Sequence, residues 1–141
     1  MARLKIELPE SFAFSVSIPV RITDLNYGGH VGNDTILSLL HEARVQFLLS
    51  RSYTEMNMEG VGLIMSDAAI EFKAELFHGE ALKAYVTAGD FGRVGFNLYY
   101  KLVKGSEETI VAAGRTGMVC FDYSRKKPVP LPSKAMETLG T

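Results

Sequence analysis

The sequence predicts an α+β domain in which a five-stranded antiparallel sheet curls around one long helix. Three observations lead there. The segment 34–50 carries apolar residues at helical spacing around most of its circumference. From residue 64 onward the chain alternates apolar and polar residues with a period of two. Short turns separate those alternating stretches, which favours antiparallel neighbours. A helix that is apolar on nearly every side must be enclosed, and one sheet encloses it only by curling over it.

The first strand is expected over 12–20, FAFSVSIPV, with Phe12, Phe14, Val16 and Ile18 on one face. A glycine-bearing segment, 24–32, interrupts it. The helix follows from about Asp34 to Ser50, with Asn33 or Asp34 as its N-cap. Ile36, Leu40, Ala43 and Phe47 form its apolar face, flanked by Leu37, Leu39 and Leu48. Thr35, Ser38, His41, Glu42 and Gln46 form a polar stripe on the other side, which must meet water, a partner or a substrate. Residues 51–62 read as a loop with a short turn of helix. In the next strand Ile64, Ser66, Ala68, Ile70 and Phe72 share a face.

A third strand covers 80–91, with Leu82, Ala84, Val86 and Ala88 together. A tight turn at Gly92-Arg93 leads into Val94, Phe96, Leu98, Tyr100 and Leu102, and residues 104–108 form a hairpin loop. The last strand, 109–123, holds Gly114 and Gly117, which mark bends, bulges or close packing against the backbone. From Lys126 the chain has three of its five prolines and reads as a surface tail. One sheet layer over one helix leaves edges exposed, so pairing with a second copy is expected, as a homodimer or homotetramer.

The 141 residues fit a single domain, 1–141, with a real core. A formal charge of −1 gives no reason to expect a nucleic-acid or membrane partner. The lone Cys120 cannot form an internal disulfide and suits a reducing, cytoplasmic setting. The start, MARLKIELPE, lacks the apolar core of a signal peptide. His30, His41 and His78 show no metal-ligand spacing, so no metal and no other cofactor is expected.

The densest chemistry lies in 21–44, RITDLNYGGHVGNDTILSLLHEAR. With the helix and sheet order, this stretch resembles the hotdog-fold acyl-CoA thioesterases, in particular the 4-hydroxybenzoyl-CoA thioesterase group. That group reads R-x-x-D-x-D-x-x-G-H-V-x-N before the central helix and E-x-A-R within it. Arg21, Asp24, Gly29, His30, Val31, Asn33, Ala43 and Arg44 match without a gap. Asp67 to Phe72 and Gly79 to Leu82 are similar to the group's second and third strands, and the closing P-x-P-L-P to its tail. The resemblance covers nearly the whole chain. It implies a hotdog fold and hydrolysis of an acyl-CoA or related acyl thioester.

Two positions depart from the pattern. In the group, the second aspartate of D-x-D is the catalytic carboxylate, and this chain has Asn26 there. A second branch places its carboxylate on the central helix fifteen positions later; here that is His41, with Glu42 beside it. A third pattern, an asparagine in the loop with an acid on the helix of a neighbouring hotdog unit, fits better. The resemblance also implies that the backbone N–H of Asn33 points at the thioester carbonyl.

Thioester hydrolysis needs an activated water or a nucleophile, and stabilisation of the oxyanion. A helix start supplies free N–H groups, and Gly28 and Gly29 let a substrate come close to it. The Asn26 amide can orient water or donate to the thioester oxygen, but it cannot take a proton near neutral pH. Candidates for the base are Glu42, His41, His30 and Asp67. Each has a structural counterpart. Asn26 can hold its own turn, His30 can brace the loop, and His41 and Glu42 can form ion pairs with Arg44 or Arg51. Asp24 reads as a group that holds the loop through Arg21 or backbone N–H groups, and Cys120 as inert core. Arg93, Lys101, Arg125, Lys126 and Lys127 are surface candidates for CoA phosphates. Leu37, Met56, Met58 and Leu63 are candidates for an acyl slot. A non-catalytic thioester-binding protein and a hydroxyacyl thioester dehydratase are the competing functions, because fold alone does not set the chemistry.

Overall fold

The computed structural model describes residues 3–141. In chain order the elements are β1 (Phe14–Ile18), a 3-10 turn (Ile22–Asp24), α1 (Asn33–Ser50), β2 (Gly62–Phe72), β3 (Leu82–Gly89), β4 (Gly95–Lys104), β5 (Thr109–Asp122), β6 (Lys127–Pro128) and α2 (Ser133–Leu139). The main strands run in the order β1-β3-β4-β5-β2, all antiparallel. The two-residue β6 adds to β5, which makes six strands where the sequence predicts five.

Helix α1 lies in the hollow of this sheet. Leu40, Ala43, Phe47 and Leu48 have no exposure, and Ala84, Val86, Leu98, Tyr100 and Leu102 meet them from β3 and β4 equally buried. Each large apolar side chain removed from water in this way contributes about 1.5–3 kcal/mol. No glycine or proline interrupts residues 33–50, so the helix runs unbroken for five turns. Its N-cap is Gly32, one residue before Asn33 and two before Asp34, the expected caps, because the Gly32 carbonyl already accepts from Thr35 and Ile36. Its end is held where Ser50 Oγ donates to the Phe47 carbonyl and the Arg51 guanidinium lies 4.6 Å over the Phe47 ring.

The expected face of β2 holds only for its second half. Met65 pairs with Met118 and Asp67 with Gly117, so Ser66 is an extra residue, a β-bulge. Leu63 and Met65 therefore share the inner face with Ala68, Ile70 and Phe72, and Ser66 leaves it. The bulge is fixed from β5: Ser66 Oγ donates to the Gly117 carbonyl at 3.1 Å, and the Gly117 N–H donates to Asp67 Oδ1 at 2.9 Å. A Cβ on Gly117 would lie 2.3 Å from Asp67 Oδ1, which explains the glycine.

Gly114 serves the helix. A Cβ there would sit 2.8 Å from Leu40 Cδ1, so its absence lets α1 seat against β5. Gly114→Ala is expected to destabilise the fold by about 1–3 kcal/mol through overpacking. An unchanged thermal midpoint would show that Leu40 has room to move.

The C-terminal piece is not a tail. After three prolines it forms α2, and Ala135 and Leu139 are wholly buried. The prolines shape an extended approach in which Val129 donates to the Cys120 carbonyl and Leu131 to that of Arg93. Strands β1 and β2 form the sheet's edges. The free edge of β2 runs for eleven residues, and Met65 and Phe72 of that strand are exposed.

Candidate active site

The 21–33 loop is built by short-range hydrogen bonds. Asp24 is buried; its carboxylate accepts the Arg21 N–H at 2.8 Å and an Arg21 guanidinium N–H at 3.5 Å. Beyond it the chain turns back on itself. The Asn26 N–H donates to the His30 carbonyl at 2.9 Å and the Gly29 N–H to the Asn26 carbonyl at 3.0 Å. Gly29 has φ +85°, a left-handed conformation that costs glycine little. The loop is docked onto 76–77: Val31 N–H donates to the Leu76 carbonyl, and the His30 ring meets Phe77 edge-on at 6.2 Å.

Asn26 is partly committed to this turn. Its Oδ1 accepts the Gly28 N–H at 2.8 Å. The Nδ2 end lies on the side of Gly32, 3.7 Å from where a Cβ of that residue would be. One end of the amide thus holds the loop, and the other is directed toward the start of α1.

Among the described residues no side chain caps that start. The first N–H groups of α1, at Asn33 and Asp34, have no carbonyl a turn earlier to receive them and carry the positive end of the helix dipole. A cleft of about 360 Å³ opens here, lined by His30, Val31, Asn33, Ile36, the 72–76 segment and Val111. Phe72 and Phe77 are exposed beside it.

The helix candidates lie elsewhere. His41 and Glu42 line a second cleft, about 410 Å³, between α1 and β1, with Ser38, Gln46, Arg21 and Asp24. Eight residues of helix separate Asn33 from His41, about 12 Å along the axis. Within one copy, then, the start of α1 and the helix candidates line different clefts.

His41 and Glu42 also differ from each other. Glu42 accepts from Gln46 Nε2 at 3.0 Å on the exposed helix surface. His41 Nε2 lies 2.9 Å from Oε1 of Glu55, in the 51–61 loop. The same oxygen accepts from Arg44 Nε at 3.3 Å. The Arg44 side chain is 6% exposed, and its Nη1 donates to the Tyr100 hydroxyl at 3.3 Å. Tyr100 meets Thr116 Oγ1 at 2.7 Å, and burial pushes its phenol up from the ordinary value. A chain of polar contacts therefore runs from the core strands out to His41. Sequence reading missed Glu55, although a buried arginine on an apolar helix is a signal that a carboxylate must be near.

The remaining candidates are dispersed. Asp67 sits on the outer face of the sheet, where Arg115 Nη1 reaches it at 3.3 Å, and borders a separate hollow with Asp90, Arg93 and Asn97. Met58 and Leu63 are core residues with almost no exposure, whereas Met56 and Leu37 are accessible. Lys101 Nζ lies over the Phe12 and Tyr85 rings, and Arg125 pairs with Asp122 at 2.8 Å. Cys120 is buried, and desolvation pushes its thiol to about 11, so it is no nucleophile near neutral pH. No helix among the described residues is long and apolar enough to cross a membrane.

Comparison with known proteins joins these observations. The family model described as the Thioesterase-like superfamily matches residues 20–139. A 1,4-dihydroxy-2-naphthoyl-CoA hydrolase of Microcystis aeruginosa is 28% identical over 127 residues, covering 86% of this chain and 88% of its own. A solved 1,4-dihydroxy-2-naphthoyl-CoA thioesterase from Synechocystis superposes with a TM-score of 0.80 at 24% identity, over 89% of this chain and 93% of that one. A Thermus thermophilus thioesterase, solved with coenzyme A and zinc, superposes with a TM-score of 0.79 at 20% identity, over 93% of this chain and all of that one.

Proposed function

We propose that this chain, which belongs to the Thioesterase-like superfamily and is a hydrolase of CoA thioesters, acts on the thioester of an aromatic acid in a site built from two copies of itself. The observation that carries the two-copy reading is the separation just described. The helix start lies at one cleft, with the Nδ2 end of Asn26 on the side of Gly32, and the base candidates line another, about 12 Å from Asn33 along α1. The open edge of β2 offers the means of joining them. Antiparallel pairing of two β2 strands sets the Phe72 end of one beside the Gly62 end of the other. The helix-start cleft of one copy then faces the 51–61 loop of the other, to which His41 is tied through Glu55.

In this site the thioester carbonyl sits against the first N–H groups of α1, which stabilise the oxyanion. Nδ2 of Asn26 donates to the thioester oxygen or orients the water. A helix residue of the second copy, His41 or Glu42, takes the proton of that water as its oxygen bonds to the carbonyl carbon. Collapse of the tetrahedral intermediate breaks the C–S bond, and the same proton passes to the departing thiolate. The aromatic acyl group is supported by exposed Phe72 and Phe77 beside the cleft, and by the named substrate of the curated relatives.

Complementation tests this reading. N26A and H41Q are each expected to be severely impaired. Co-expressed, they form mixed pairs with one doubly altered site and one wholly intact site, so about a quarter of wild-type activity returns on aromatic acyl-CoA. Absence of recovery in demonstrably mixed pairs would place the whole site within one copy. Equal turnover of aliphatic and aromatic acyl-CoA would remove the aromatic preference.

A further inference from the structure

We propose that Glu55 is a positioning residue that orients His41 and balances its charge, which makes His41 rather than Glu42 the proton acceptor. The inference rests on the proposed hydrolytic role of the helix stripe and adds a residue and a geometry to it. Three observations carry it. Glu55 Oε1 is 2.9 Å from His41 Nε2, a hydrogen-bond distance. That oxygen is itself fixed by Arg44, whose guanidinium is enclosed by the core and bound to Tyr100. His41 remains more than half exposed and lines the cleft between α1 and β1.

The consequence follows from imidazole chemistry. In a neutral ring one nitrogen donates and the other accepts. A carboxylate can only accept, so Nε2 carries the hydrogen and Nδ1 is left as the free base. When Nδ1 takes a proton from water, the ring becomes cationic beside a carboxylate already in place. This is the orienting and charge-balancing role of the third member of an acid–base triad. Among the described residues Glu42 has no comparable support: its side-chain partner is a glutamine on the same exposed surface. The charged groups around His41 are Glu55 from the 51–61 loop, Arg21 and Asp24 across the cleft, and Glu42 and Arg44 on its own helix. Among the described residues, the ion-pair partner of the ring is Glu55.

The test uses E55Q, H41Q and the double variant in the full-length protein, with an aromatic acyl-CoA and a thiol reagent. A glutamine keeps an acceptor for Arg44 and His41 but withdraws the negative charge. H41Q is expected to lower kcat by about 10²-fold or more, and E55Q to lower it by a smaller factor with KM little changed, because the imidazole itself stays in place. The double variant is expected to be no slower than H41Q, because Glu55 acts through His41. Factors that multiply in the double variant, or an E55Q with wild-type kcat, would overturn the role of Glu55 while leaving His41 as base. An H41Q with wild-type kcat would overturn both readings. A readout independent of turnover is the ¹⁵N spectrum of the imidazole, assigned by its loss in H41Q. The Nε2–H tautomer is expected, and an Nδ1–H tautomer would refute the arrangement.

Discussion

Replacing Asn26 by alanine is expected to lower kcat by about 10²- to 10³-fold, the range seen when one preorganised donor to an oxyanion is removed. The fold should hardly notice. Asn26 is exposed, and the bond it makes within the molecule, from Gly28 N–H to Oδ1, closes a surface turn. Loss of such a bond costs about 0.5–1.5 kcal/mol. Rate and stability are thereby separated: a residue kept for its turn alone would show a small change in melting temperature and an unchanged rate. Steady-state kinetics and a thermal melt on the same preparation decide the matter. Turnover within twofold of wild type would reduce Asn26 to a turn residue.

The largest stability effect is expected at Glu55. In E55A the guanidinium of Arg44 keeps its buried position and its bond to Tyr100 but loses its counter-charge. Stranding a buried charge costs about 3–5 kcal/mol, which for a chain of this size lowers the melting temperature by roughly 10 °C. The reciprocal change should be milder. R44M removes the buried charge altogether, fills most of the volume, and leaves a carboxylate whose side chain is 27% exposed and open to water. E55A is therefore expected to melt well below R44M. The opposite order, measured by calorimetry at neutral pH, would show that the pair's energy resides in the carboxylate's surroundings.

These expectations show where the chain is legible and where it is not. The period of Ile36, Leu40, Ala43 and Phe47 names the face of α1 that the sheet covers, and the alternation from Phe96 to Leu102 names the inner face of β4. Both patterns are averages over many residues, so they survive local exceptions. The bulge at Ser66 is such an exception: a single inserted residue reverses the inner and outer faces of half a strand and leaves the composition unchanged. Helix α2 was hidden by Pro128, Pro130 and Pro132, which announce an irregular segment, while Ala135 and Leu139, spaced as one helical face, announce burial. The loop of the candidate site is readable because its chemistry is contiguous, from Asp24 to Asn33. Glu55 is not, because it comes to His41 from another segment, through tertiary contact alone.

The bulge has a consequence for how such a chain can diverge. Ser66, Asp67 and Gly117 occupy one another's space, so a side chain at 117 is excluded for as long as Asp67 Oδ1 stands 2.3 Å from its Cβ position. Removal of Ser66 alone would keep Met65 and Ala68 in register with Met118 and Thr116 but would remove the hydroxyl that bonds the Gly117 carbonyl. A side chain at 117 is therefore not open first, and its tolerance depends on what stands at 66 and 67. The three positions are thus expected to behave as one heritable unit, with the fitness of each substitution set by the other two.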